Sequence, residues 1–253
     1  MSCSAGWWRR ANEEGAEPGR RLRALARWLL RRGSRVDYRA ALFLEFREYL
    51  GAGRPRQILE IGPKDGEDTR RLLQMAPDTL TLVDLPRMET VNEAWLRGLD
   101  GAKIEYVSAN LMYTDTLDGR EFDAIWCTGV LYHNPEQLRM IKKLYDLLRP
   151  DGVLVLESAT IRRRRLRGDC CVEIIYPASK WIEEKYHLSP NITHLPSASA
   201  VPAWLAMVGF ERIIRGDCHR KASAALARHR VAYFGTKPIG AAPGRYYRLG
   251  GDE

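Results

Sequence analysis

What most constrains this 253-residue chain is an alternation of two periodicities. Short apolar runs of β-forming type are separated by stretches whose apolar positions recur at helical spacing. The runs are Gln57 to Ile61, Thr79 to Val83, Lys103 to Ser108, Phe122 to Cys127, Val153 to Glu157, Glu211 to Arg215 and Val231 to Thr236. Strands that alternate with helices pair in parallel, because each crossover helix returns the chain to the same end of the sheet and covers one of its faces. The expected class is therefore α/β, with a seven-stranded, mostly parallel sheet and helices on both faces.

Punctuation divides the chain further. Leu22, Leu25, Ala26, Leu29 and Leu30 follow helical spacing, as do Ala40, Leu42, Phe43, Phe46 and Leu50, which predicts N-terminal helices in a cap over 1–54. The domain proper is expected over 55–240. Inside it, Asn134 as a cap, Pro135 in the first turn and Gln137 completing a capping box predict a helix start. Arg149-Pro150-Asp151-Gly152 predicts its stop. The stretch 158–196 is too long for an ordinary connection and follows the fifth strand, so it reads as a substrate lid. The segment 241–253 has no periodicity and reads as a tail.

Composition narrows the functional classes. No apolar run approaches the roughly 18 to 20 residues needed to span a bilayer, and the amino terminus lacks the pattern of a secretory leader. The five cysteines are odd in number, with no Cys-x-x-Cys and no histidine at ligand spacing, so free thiols and no metal are expected. A cytoplasmic protein with no membrane association follows. Forty basic against thirty-two acidic residues leave a net charge of +8. Residues 1–50 carry eleven arginines, no lysine and six acids. Such a field favours an anionic partner, a nucleic acid or a phosphorylated metabolite, although a solvated helix face gives the same composition.

The most specific segment is Ile58-Leu59-Glu60-Ile61-Gly62-Pro63-Lys64-Asp65-Gly66, where an apolar strand ends in a glycine-bearing turn and feeds a helix. Gly62 and Gly66 let the backbone approach a ligand. About twenty residues later the second strand ends at Val83-Asp84, placing a carboxylate where it can accept from both ribose hydroxyls. Together these residues resemble the S-adenosylmethionine (SAM) binding motifs of class I methyltransferases, which implies a Rossmann-like fold. That resemblance puts Gly62, Pro63 and Gly66 beside the amino-acid portion and sugar of SAM, and Asp84 on the ribose. It has Glu60 orienting the loop or meeting the methionine ammonium through water. Leu85 would lie against adenine, Asn110 and Leu111 would hold the adenine ring and its amino group, and Thr128 would complete the cofactor wall. Asn110 can equally cap a turn.

The fourth strand runs into Cys127-Thr128-Gly129-Val130-Leu131-Tyr132-His133 at the carboxyl edge, where α/β enzymes place their chemistry. Methyl transfer is an in-line displacement at a sulfonium, so the protein positions the acceptor and, where needed, removes its proton. His133 is the candidate general base because imidazole titrates near neutrality. The alternative is a histidine that only bonds the backbone. Magnesium-dependent catechol-type chemistry calls for carboxylates here, and Cys127 and Thr128 stand in their place. The Asp/Asn-Pro-Pro-aromatic and Pro-Cys motifs of base methyltransferases are absent.

The blocks Gly129-Val130-Leu131-Tyr132-His133, Leu154-Val155-Leu156-Glu157, Asn191-Ile192-x-x-Leu195-Pro196-Ser197, Trp204-Leu205 and Gly209-Phe210 resemble the wobble-uridine tRNA carboxymethyltransferases and their methyltransferase relatives. In that family the tyrosine of the first block helps hold the carboxylate of the transferred group; here Tyr132 would instead face the sulfonium region or the acceptor, a packing aromatic being the alternative. The loop Gly62-Pro63-Lys64-Asp65-Gly66 departs from the Gly-Cys-Gly-Asn-Gly type of those enzymes. Arg162 and Arg165, in an arginine run after the fifth strand, can clamp phosphate or carboxylate groups. Tyr176, Trp181 and Tyr186 in the lid can stack on a substrate. The leading expectation is a SAM-dependent methyltransferase acting on an oxygen or nitrogen of a small molecule, its acceptor anionic in one version. The alternatives are a tRNA-modifying enzyme and a non-catalytic binding module. The oligomeric state stays open, with a homodimer one option.

Overall fold

Parallel strands buried on both faces need apolar residues at successive positions, and β1 (Gln57–Ile61) meets this with four consecutive buried residues. The computed structural model describes residues 37–99, 103–161, 163, 166, 168–175 and 193–240, all in the compact unit that begins at Asp37. Ahead of β1 comes α1 (Tyr38–Leu50), capped by the Asp37 carboxylate, which accepts from the Arg39 N–H at 3.0 Å. After it follow α2 (Glu67–Leu73), β2 (Thr79–Asp84), α3 (Glu89–Leu96), β3 (Lys103–Ser108), β4 (Phe122–Thr128), α4 (Gln137–Asp146) and β5 (Leu148–Ala159). The rest comprises β6 (Val172–Ile175), β7 (Thr193–Pro196), α5 (Ala200–Val208), β8 (Glu211–Arg215), α6 (Cys218–Ala222), α7 (Ala224–Ala227) and β9 (Arg230–Thr236).

The main sheet has the order β3-β2-β1-β4-β5-β9-β8. Its first five strands are parallel, whereas β9 runs antiparallel to both β5 and β8. The expected α/β class and mostly parallel seven-stranded sheet are therefore observed. On one face Leu59, Ile125, Leu154 and Leu156 pack with Ile141 and Leu144 of α4 and Leu205 of α5. On the other, Ile58, Leu80, Trp126 and Val155 pack with Leu42, Phe43 and Phe46 of α1 and Leu72 of α2. Each such side chain contributes about 1.5–3 kcal/mol on full burial. α1 thus joins the core of the sheet domain. The order of strands reverses between β1 and β4, which opens a crevice at their carboxyl ends.

Two local expectations are corrected. α4 starts at Gln137, not at Pro135. Asn134 instead closes a tight turn, its Oδ1 accepting from the Glu136 N–H at 2.8 Å. The Gln137 amide, expected to complete a capping box, donates to the carbonyls of Leu131 (3.1 Å) and His194 (2.7 Å). That tertiary bond outweighs the local cap. In the expected lid, β6 and β7 form a separate two-stranded antiparallel sheet. The first predicted helix and the tail lie outside the described residues. Among the described residues no helix is long and apolar enough to cross a membrane.

Candidate functional site

The glycine loop follows β1 directly. Gly62 and Gly66 have φ of 69° and 71°, in the left-handed region that glycine alone enters without cost. Each also has a close neighbour: a Cβ on Gly62 would lie 2.8 Å from Val130 Cγ2, and one on Gly66 would lie 2.4 Å from Trp95 Cε3. Pro63 opens a turn closed by the Gly66 N–H on its carbonyl at 2.9 Å. Beneath the loop, Glu60 is buried and accepts from the Thr69 hydroxyl of α2 at 2.7 Å. Burial, reinforced by the nearby Asp68 carboxylate, pushes its pKa up to about 8. Glu60 is therefore protonated at neutral pH and holds the loop through Thr69.

Asp68 is the buried anion of this region. It accepts from Arg39 Nη1 (3.2 Å), Arg71 Nη1 (2.9 Å), Trp126 Nε1 (3.1 Å) and the Thr128 hydroxyl (3.1 Å). It ties α1, α2 and β4 together at the crevice, and the Thr128 hydroxyl is committed to it.

Asp84 ends β2 on the far side of the loop. Its Oδ1 accepts from the Leu85 N–H at 2.8 Å and its Oδ2 from Asn92 Nδ2 at 3.1 Å. Burial raises its pKa, while Asn92 and the backbone N–H groups of Leu85 and Lys64 oppose the rise. Loop and ribose candidate are thus neighbours. Asn110 caps its own turn, Oδ1 accepting from the Met112 N–H at 3.0 Å. The Leu111 side chain is in the core.

Tyr132 and His133 lie in a single 3₁₀ turn after β4 with ring centroids 4.1 Å apart. Burial first, then the charges of Arg230 and Arg87, lowers the His133 pKa to about 4. It is a neutral imidazole at pH 7, able to accept a proton, though a weaker base than free histidine. Burial raises the Tyr132 phenol, which stays protonated. The Arg230 guanidinium sits 5.6 Å from the Tyr132 ring and 5.7 Å from the Tyr38 ring. It is clamped by Glu157, Nε on Oε1 at 2.5 Å and Nη2 on Oε2 at 2.8 Å, and His219 Nε2 lies 3.0 Å from the same Oε1. Gly129 stands between two cations, Arg230 Nη2 and Arg39 Nη2, at 3.7 and 3.9 Å from where its Cβ would be.

The structure thus brings Glu60, Gly62, Pro63, Gly66, Asp84 and Leu85 to the ends of β1 and β2, and Thr128, Tyr132 and His133 to the end of β4. Arg162, Arg165, Tyr176, Trp181 and Tyr186 lie outside the described residues. Sequence reasoning missed Tyr38, Arg39, Asp68, Asn92 and Arg230. The one signal it offered was Glu157, a carboxylate inside an apolar strand, which demands a cationic partner. Among the described residues no cluster of three or more His, Cys, Asp or Glu gathers to hold a metal.

Known proteins bear on this arrangement. A family described as a methyltransferase domain matches residues 20–213, more than half of the chain. The tRNA U34 carboxymethyltransferase of Nautilia profundicola is 25% identical over 158 residues, covering 62% of this chain and 48% of that protein. Its counterpart from Chromohalobacter salexigens is 29% identical over 163 residues, covering 62% and 45%. The chain spans about half the length of the curated relatives it matches. Among solved structures, the N-methyltransferase NodS of Bradyrhizobium japonicum with S-adenosylhomocysteine has TM-score 0.54 at 18% identity, covering 79% of this chain and 87% of that one. The 1,6-didemethyltoxoflavin-N1-methyltransferase of Burkholderia thailandensis has TM-score 0.53 at 18% identity, covering 88% and 92%. The chain belongs to the methyltransferase domain family, and its fold is the class I fold of SAM-dependent methyltransferases.

Proposed function

We propose that this protein binds SAM, or a carboxylated form of it, across the carboxyl ends of β1, β2 and β4 and transfers the sulfonium-borne carbon to tRNA. The observation that carries the cofactor reading is the loop and carboxylate held side by side, Gly62 and Gly66 in left-handed turns next to an Asp84 oriented by Leu85 and Asn92. Ribose hydroxyls would donate to Asp84, and the amino-acid end would lie over the loop. When bound, the cofactor supplies the electrophilic carbon. His133 would accept the acceptor's proton, and with its pKa held near 4 it could do so only from an acceptor that is itself acidic.

The tRNA reading rests on the names of the relatives and on the net charge of +8, which favours a polyanion. A carboxymethyl group brings a carboxylate to the sulfonium, and Arg230 with Tyr132 and Tyr38 supplies a guanidinium and two phenols beside His133. Such a protein would work in the cytoplasm. The second reading is methyl transfer to an oxygen or nitrogen of a small molecule. It is favoured by the fold shared with the didemethyltoxoflavin enzyme over 88% of this chain.

Incubating the protein with isotopically labelled SAM or carboxy-SAM and bulk tRNA tests this. Label in tRNA, with binding that weakens steeply as salt rises, supports the first reading. Label only in a small-molecule extract favours the second, and binding of neither cofactor removes both.

A further inference from the structure

We propose that Asn92, on the buried side of α3, is a positioning residue that fixes the carboxylate of Asp84 for the cofactor ribose; this rests on the cofactor reading above. The Asn92 side chain is fully buried. Its Nδ2 bridges two acceptors, Asp84 Oδ2 at 3.1 Å and the Tyr106 hydroxyl at 2.9 Å. A primary amide carries two N–H groups, so both are used. Its Oδ1, by contrast, has no hydrogen-bond partner among the described residues. Burying an unpartnered amide oxygen is costly. A leucine would fill similar space without that cost, so the amide is explained by what its nitrogen holds.

The geometry at Asp84 says what is held. An ionised carboxylate offers about four lone-pair sites. Leu85 and Asn92 take one on each oxygen. Fixing both oxygens from the protein side sets the torsion of the carboxylate and leaves the remaining capacity for a ligand hydroxyl. Burial favours the neutral acid, which would lose an acceptor, and the Asn92 donor opposes that shift. One turn further along α3, Trp95 donates from Nε1 to the Lys64 carbonyl at 3.1 Å, and its ring closes against Gly66. A single short helix therefore sets the distance between the ribose carboxylate and the loop.

Calorimetric titration of S-adenosylhomocysteine and of its 2′,3′-dideoxyribose analogue into wild type, Asn92→Leu and Asn92→Ser tests the proposal. Wild type is expected to prefer the parent by about tenfold or more, the scale of one hydrogen bond to a charged group. In the variants that preference falls towards unity while affinity for the analogue is retained, and thermal melts confirm the fold. The serine variant is smaller and polar, and serves if the leucine variant does not fold. Equal weakening of both ligands, or an unchanged preference in a folded variant, overturns the proposal. Wild-type protein that binds neither ligand overturns the cofactor reading itself, and the role of Asn92 with it.

Discussion

Glu157 on β5 and Arg230 on β9 meet through two parallel hydrogen bonds, at 2.5 and 2.8 Å, across the seam where the sheet turns antiparallel. Burial alone would raise the Glu157 pKa, but the charge of Arg230 and the His219 bond outweigh it and hold it at about 2. The folded value lies below the ordinary 4.5, so the pair's stability is present above about pH 4.5 and is lost as pH falls towards 2. Glu157→Gln leaves the half-buried Arg230 guanidinium without its counter-charge and should cost about 3 kcal/mol, the low end for breaking a buried pair. Thermal melts should place the variant well below wild type near neutral pH, with the gap narrowing in acid. A constant gap would mean the carboxylate carries no charge in the fold.

Glu60 has the opposite sign. Its folded pKa of about 8 exceeds the ordinary 4.5, so stability is full at low pH and drains away as pH rises through that window. Glu60→Gln keeps an acceptor for Thr69 without a proton to lose. Wild-type melting temperature should fall relative to the variant as pH is raised from about 5 to about 9, and parallel curves would refute the buried proton.

For His133 the folded value of about 4 lies below the ordinary 6.5. The unfolded chain takes up a proton that the folded one refuses, so this site costs stability as pH falls from about 6.5 to about 4. In turnover, the acid limb of kcat should lie near 4, and His133→Asn should lower kcat by about 10²–10⁴-fold with little change in cofactor affinity. Full kcat in the variant would take His133 out of the reaction.

Gly66→Ala should disable the loop in two ways. The left-handed φ costs about 1–2 kcal/mol, and the added methyl would press on the Trp95 ring. Combining it with Trp95→Leu should restore part of the lost melting temperature, the steric share, and leave the backbone share unrecovered.

Much of this was legible from periodicity. Gln57–Ile61, Lys103–Ser108 and Glu211–Arg215 form strands with the bounds their sequence predicts; in the first, a central parallel strand, burial is written into consecutive apolar residues, whereas the other two lie at the edges of the sheet. Asp84 was legible because it ends a strand at a fixed distance from a glycine turn. Asp68, Asn92 and Arg230 were not. Each acts on a residue far away in sequence or on a different element, such as Arg230 on Glu157, and a polar residue in a helix or at a strand start looks like an ordinary surface position. The β6–β7 hairpin hid inside a long connection because its partners stand on either side of segment 176–192. Asn134 signalled a helix start that a tertiary bond from Gln137 displaced.

The reversed direction of β9 has a consequence for how such a protein can diversify. In a sheet of parallel strands alone, only the segments that leave a strand reach the reactive rim. Because β9 runs the other way, Arg230 at its beginning reaches that rim, delivered by the segment that enters the strand. On the proposed reading, the group that would face the transferred carbon and the group that would face the cofactor sugar are encoded at opposite ends of the domain. With that placement, one could drift while the other is kept, so that what is transferred could change without altering how the molecule that carries it is held.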